Sequence, residues 1–178
     1  ITHLDTLPLG DGLPPTDWEL EALDGRPLSV QTTAVRVDTA SGPAILTLIF
    51  DVSQRKAAEA SVRRSEALLS HLFATNPDCM TLTERATGRY ALVNEGFLRA
   101  TGHAREQVIG RTSIELGIWD DPADRRRLID ALQRDGQVSD MPFNFRRRDG
   151  SRIAMLVSGA CFDFEGRDFI VINARDVS

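Results

Sequence analysis

Residues 137–178, QVSDMPFNFRRRDGSRIAMLVSGACFDFEGRDFIVINARDVS, decide the fold. Gln137 to Arg147 reads as a strand that places Phe143 and Phe145 on one face, because side chains alternate sides along an extended chain. Asp149-Gly150 then marks a tight hairpin, since both residue types tolerate the positive φ that such turns demand. A second strand follows over 152–164, a turn at Glu165-Gly166-Arg167, and a third strand from Asp168 to Arg175. Pro142 lacks a backbone donor, which puts the first of these strands at a sheet edge. Phe169-Ile170-Val171-Ile172 is apolar on both faces and suits a central strand.

The same unit occurs earlier in the chain. Asp24-Gly25 and Asp51-Val52-Ser53 reappear as Asp149-Gly150 and Asp176-Val177-Ser178, both at an offset of 125 residues and without a gap. Leu28 matches Ile153, Val30 matches Met155, and Ile45 matches Ile170 in the same register. Strands are therefore expected at roughly 17–23, 26–39 and 44–51, after a tail or loop over 1–16. The earlier copy stops short: residues 17–53 hold only the C-terminal half of the unit. A three-stranded sheet without helices leaves an apolar face to be covered by a neighbouring domain, another chain or a partner.

Between the copies lies material that only the second possesses. Ser53 is placed to cap a linker helix over 54–73 that ends before Asn76-Pro77, where proline disfavours helix in the preceding residue. Its seam, Ala58, Val62, Ser65, Leu69 and Leu72, has coiled-coil-like spacing. Strands at Cys79–Glu84 and Arg89–Val93 flank a turn at Thr87-Gly88. Asn94 caps a short helix closed by Gly102, and another covers Ala104–Ile109. Asp121-Pro122 opens a clearer helix, with a capping Asp, proline at its first position and Leu128, Ile129 and Leu132 on its buried face, and Gly136 ends it. The fold class is α+β: a five-stranded antiparallel sheet with short helices on one face, preceded by a partial three-stranded sheet and a connecting helix.

That order resembles the PAS sensory domain family, and the landmarks agree with it. Leu72-Phe73-Ala74-Thr75-Asn76-Pro77-Asp78 is similar to the family's entry segment, and Asn94-Glu95-Gly96-Phe97 with Thr101-Gly102-His103 to its N-x-x-F…G-Y/H stretch. Val108-Ile109-Gly110-Arg111 resembles its G-(R/K) turn, the run from Phe145 to Gly150 its R-x-D-G hairpin, and Asp176-Val177-Ser178 its closing D-(I/V)-(S/T). The resemblance covers one complete domain over 74–178 and the C-terminal half of another.

The resemblance implies a sensor that holds a ligand between helices and sheet. Face alternation puts Phe143, Phe145, Met155, Val157, Ile170 and Ile172 on the sheet side of such a pocket, with Trp119, Leu128 and Leu132 opposite. A small apolar ligand suits this lining, although large apolar residues at these spacings are core before they are pocket. Gly159 on the same face is expected to leave room. Haem is disfavoured, because 121–136 contains no histidine and His3, His71 and His103 lie elsewhere. Flavin photochemistry of the light-oxygen-voltage type is argued against too. The stretch after Gly110-Arg111 has no thiol, and Phe145, Met155 and Ala174 stand where that subfamily carries ring-reading amides. Cys79 and Cys161 read as inert buried thiols. Asp51, Ser53, Asp176 and Ser178 are the candidate signal relay, since each Asp-Val-Ser ends a strand, central in the family fold, and the first immediately starts a helix.

Composition sets the remaining bounds. Hydrophobic residues at 42% and charged residues at 26% describe a folded chain, not a disordered one. A net charge of −5 argues against general nucleic-acid binding, and the arginine triplets 125–127 and 146–148 read as solvated charge. No apolar run is long enough to span a bilayer, and two cysteines make no disulfide framework, so a cytoplasmic setting is expected. Beginning at Ile1, the chain reads as a piece of a longer protein. No nucleophile elbow, phosphate-cradling loop, HExxH or CxxC motif is present, so no catalytic residue and no metal site are expected. What the resemblance to the PAS family implies is a signal-input module of a sensor histidine kinase or cyclic-dinucleotide enzyme, homodimeric through the linker helix or a sheet face. A ligand-free dimerisation module is the alternative.

Overall fold

A computed structural model describes residues 12–178 and divides the chain into two compact units, 1–67 and 68–178. His3 and most of the expected 1–16 tail fall outside the described residues.

The second unit follows the last turns of α1 (Ser53–Thr75). It contains β4 (Cys79–Glu84), β5 (Tyr90–Val93), α2 (Glu95–Thr101), α3 (Arg105–Val108), α4 (Pro122–Asp135), β6 (Gln137–Arg146), β7 (Arg152–Phe164) and β8 (Arg167–Asp176). The strands form one antiparallel sheet in the order β5-β4-β8-β7-β6. The apolar β8 lies in the middle and the proline-bearing β6 at an edge, as the two sequence patterns require. β6 is not a regular strand throughout. Its pairing to β7 shifts between Val138 and Met141, where Asp140 adopts φ 47° and donates its N–H to Ser158 Oγ at 3.0 Å. Asp is among the few residues that enter this left-handed region readily, so the bulge costs little.

The helices begin and end where local chemistry dictates. Asp121 accepts the Ala123 N–H at 2.8 Å, Pro122 supplies a preset φ, and Gly136 at φ 73° returns its N–H to the Leu132 carbonyl. Leu128 and Leu132 of α4 pack with Ile118, Ile153, Met155 and Val157 in one buried cluster. Each such side chain contributes roughly 1.5–3 kcal/mol on burial. Gly159 does not leave the expected room. A Cβ there would lie 2.4 Å from Ile172 Cδ1, so the missing side chain is the space into which Ile172 leans from the neighbouring strand.

The first unit contains β1 (Thr16–Glu21), β2 (Pro27–Thr39) and β3 (Gly42–Asp51), antiparallel in that order, followed by the start of α1. Gly12 and Leu13 already pair with β2, through a bridge to Val35 and a 2.8 Å bond from Leu13 N–H to the Ala34 carbonyl. The end of the expected tail is thus sheet-bound. β3 was expected to be central and lies instead at an edge. Its counterpart β8 is enclosed by β4, and no described strand plays that part for β3. Trp18, Leu20, Ile45 and Ile49 are exposed; at the repeat offset they correspond to Phe143, Phe145, Ile170 and Ala174, which are buried. α1 has no buried residue, and Val62, Leu68, Leu69 and Leu72 are exposed along it.

Candidate functional site

A cavity of about 230 Å³ opens inside the second unit between the sheet and the helices. Of the nine residues expected around a pocket, Trp119, Leu128, Leu132, Phe145, Val157, Ile170 and Ile172 line it. Phe143 and Met155 are buried in the same core cluster without lining it. Phe143 is held aside by Trp119, whose ring meets it edge-on at 5.5 Å between centroids and meets Phe145 at 5.0 Å. The inner end is closed by Cys79, Phe97, Val157 and Ala174, all buried. Arg85, Ala86 and Thr87 of the β4–β5 turn line the cavity yet are exposed, so the mouth lies at this turn.

Several of these contributors carry no signal in the sequence. Tyr90 is buried at the start of β5, and desolvation drives its hydroxyl pKa well above the ordinary tyrosine range. Ser113 accepts a 2.9 Å bond from Trp119 Nε1 and so fixes the indole over the cavity. Both thiols line the space, Cys79 buried in the core cluster and Cys161 partly buried against it. Burial pushes the Cys79 pKa to about 11, which keeps it a neutral thiol, while Cys161 lies 3.9 Å from the Leu132 carbonyl. The sheet side presents Thr81, Thr83, Phe145, Val157, Cys161, Ile170, Ile172 and Ala174, with no amide; the amide in the lining, Gln133, comes from α4. A flavin ring edge therefore finds no amide on the sheet. Among the described residues no group of three or more His, Cys, Asp or Glu is placed to hold a metal ion.

Asn94 anchors the wall beside the cavity. It is fully buried and makes four hydrogen bonds, accepting from Phe97 N–H and Met80 N–H at 2.9 Å and donating to the Asn76 and Asp78 carbonyls. One side chain thus caps α2, holds β4 and fixes the entry segment. The arginine triplets are only partly solvated charge. Arg127 donates to the Pro142 carbonyl at 2.9 Å, and Arg146 with Arg152 clamps Asp120 at 2.9 Å each.

The two Asp-Val-Ser junctions share one geometry. Asp51 Oδ1 accepts the Ser53 N–H at 2.9 Å, and Asp176 Oδ1 accepts the Ser178 N–H at 2.9 Å. Val52 N–H donates to the Ser29 carbonyl and Val177 N–H to the Ala154 carbonyl, residues that are again 125 apart. Ser53 Oγ accepts from Ser29 N–H at 3.0 Å, and Ser178 Oγ accepts from Ala154 N–H at 3.1 Å. Ser53 was expected to cap the helix; its hydroxyl is instead committed to β2. The departing chain satisfies backbone groups of the neighbouring strand that would otherwise lack partners. The bonds to the serine N–H hold both aspartate pKa values below the ordinary carboxylate range.

With the fold and cavity in view, comparison with known proteins places the chain: residues 77–178 match the PAS domain family, and the chain belongs to it. The PAS domain of an HTR-like protein from Haloarcula marismortui is 26% identical, with a TM-score of 0.58, covering 68% of this chain and 99% of that one. A PAS domain from a two-component sensor histidine kinase is 15% identical with a TM-score of 0.54, covering 67% and 98%. A light-oxygen-voltage protein of Rhodobacter sphaeroides is 19% identical with a TM-score of 0.52, covering 61% and 64%. The last two are likenesses of fold alone. No curated protein matches the chain. The PAS unit is a sensory input module of a non-catalytic kind. No helix among the described residues is long and apolar enough to cross a membrane.

Proposed function

We propose that residues 74–178 are a complete PAS sensor that takes a small, largely apolar ligand in the cavity. In this reading 17–53 are the C-terminal half of a preceding PAS unit and 54–73 the signalling helix between them. Ligand-dependent packing of the sheet is relayed through Asp51 and Ser53, and through Asp176 and Ser178, toward an effector of the histidine kinase or cyclic-dinucleotide type. The observation that carries this is the path of β8: Ile170, Ile172 and Ala174 line the cavity, and the same strand ends at the Asp176 junction. Native mass spectrometry of the purified chain tests it, beside Val157→Trp, which fills the cavity from its fully buried sheet side. Extra mass on the wild-type chain and none on the variant is the expected result. Ligand retention that is unchanged in Val157→Trp would sink the pocket.

A second reading, a ligand-free association module, is favoured by one feature, the exposed Val62, Leu68, Leu69 and Leu72 on α1. A homodimer through that stripe should dissociate in Val62→Asp/Leu69→Asp. A dimer that persists in light scattering would remove the helix as its basis.

A further inference from the structure

The cavity lining is unbalanced in charge. It includes two arginines, Arg85 and Arg125, and no aspartate or glutamate, in a protein whose net charge is −5. Arg125 differs from Arg127 and Arg134 on its helix in having no partner among the described residues, and from the equally unpaired Arg126 in being partly buried. Arg127 is engaged by Asp124 and the Pro142 carbonyl, and Arg134 by Asp135. Arg125 is half-buried and, among the described residues, has neither a hydrogen bond nor an ion pair. Its guanidinium rests against the β4–β5 turn, where a Cβ on Gly88 would lie 3.3 Å from Nη2. The glycine leaves the approach open. The charge of Arg125 is close enough to Tyr90 to offset part of the desolvation that raises the pKa of that buried hydroxyl. The Arg85 side chain, also in the lining, makes a 3.7 Å contact to the Asp168 carboxylate, beyond hydrogen-bond length. The Arg125 guanidinium nitrogens are not buried, so an anion arriving at the mouth would find charge-assisted donors there.

We propose that the cavity is built for a compact apolar carboxylate, with its anionic group bound by Arg125 and Arg85 at the mouth and its body against Leu128, Val157 and Ile172. This rests on the reading of the cavity as a ligand site and names the class of ligand. The deeper lining carries the neutral polar groups Thr81 and Tyr90 among apolar side chains and no cation, so the charge of the ligand finds its partners at the turn. A volume of about 230 Å³ lies below the ~300–1,000 Å³ of pockets for drug-sized ligands, which limits the body to a short alkyl chain or a single ring. Arg125 presents a planar fork matched to a carboxylate, and a single such group balances it without bringing a second negative charge toward the half-buried mouth.

The test uses the full chain and calorimetric titration with octanoate and phenylacetate, each beside its neutral counterpart, 1-octanol and 2-phenylethanol. The carboxylates should bind at least about tenfold more tightly than the alcohols, the range expected of a charge-assisted hydrogen bond. Arg125→Gln should abolish that ratio while leaving alcohol binding intact. Arg125→Lys should keep part of it, and circular dichroism of both variants checks that they fold. Equal binding of acid and alcohol overturns the anion assignment and leaves the cavity as a ligand site. Octyl phosphate binding more tightly than octanoate overturns the choice of carboxylate. Failure of both acids and both alcohols to bind overturns the ligand site itself, and the proposal with it.

Discussion

Asn94→Ala should be among the most damaging single substitutions in the PAS unit. The side chain is wholly buried and makes four hydrogen bonds, two as acceptor and two as donor. At about 1 kcal/mol net for each bond, truncation costs roughly 4 kcal/mol. The loss of the α2 cap is already counted in the bond to Phe97, so it is not added again. Against a domain stability of about 5–15 kcal/mol, this is a large fraction. With a urea dependence of about 2 kcal/mol per molar, the midpoint should fall by about 2 M. Urea titration followed by Trp119 fluorescence, in a Trp18→Phe background so that the first unit is silent, reads the shift. Asn94→Asp keeps both accepting contacts but turns a second carboxylate oxygen toward the Asn76 and Asp78 carbonyls, so it should recover less than half the loss. An Asn94→Ala variant within about 1 kcal/mol of wild type would refute the four-way anchoring argument.

Two further outcomes are expected. Gly96→Ala gains about 1 kcal/mol in helix propensity, yet its Cβ would meet the Asp78 carbonyl oxygen at 2.3 Å and that of Pro77 at 2.7 Å. Backbone displacement by about 1–3 kcal/mol of overpacking should win, and a thermal midpoint at or above wild type would contradict it. Asp120→Asn should lower stability at neutral pH. The bond from Arg146, with Arg152 beside it, depresses the folded-state pKa of Asp120, so its stabilisation is complete above the unfolded value near 3.9. It is lost as pH falls through the lower folded value. Urea midpoints of variant and wild type should therefore converge below about pH 4, and a gap that stays constant with pH would count against the clamp.

Much of the fold was legible because its signals are local. Asp149-Gly150 sets a hairpin, Pro142 marks an edge, and Asp121-Pro122 with Gly136 brackets α4, each through the backbone of a few residues. The repeat extended this reading to β1–β3, since a gapless register carries strand positions with it. The place of β3 in its sheet was not legible. A strand's neighbours are set by what pairs with its outer edge, and β3 resembles β8 in sequence while lacking the partner β8 has. The apolar side of the cavity followed from period-two alternation. Its polar contributors, Tyr90, Ser113, Arg85 and Arg125, did not. They come from the start of a strand, a loop, a turn and the half-buried side of a helix, and they meet only because of where α4 stands over the sheet. Gly159 was misread for a related reason. A missing side chain signals space, but the sequence does not say which neighbour occupies it.

That glycine has a mechanical consequence. Ile172 lies over Gly159 as a key lies in its slot, and sliding β8 along β7 by two residues would bring it opposite Val157 or Cys161, where a Cβ blocks the way. The longest pairing in the PAS sheet, β7 with β8, is thereby locked against shear. In the proposed relay, a stimulus entering at the cavity would therefore reach Asp176 as a tilt or twist of β8 together with β7, altering the angle at which the chain leaves the sheet.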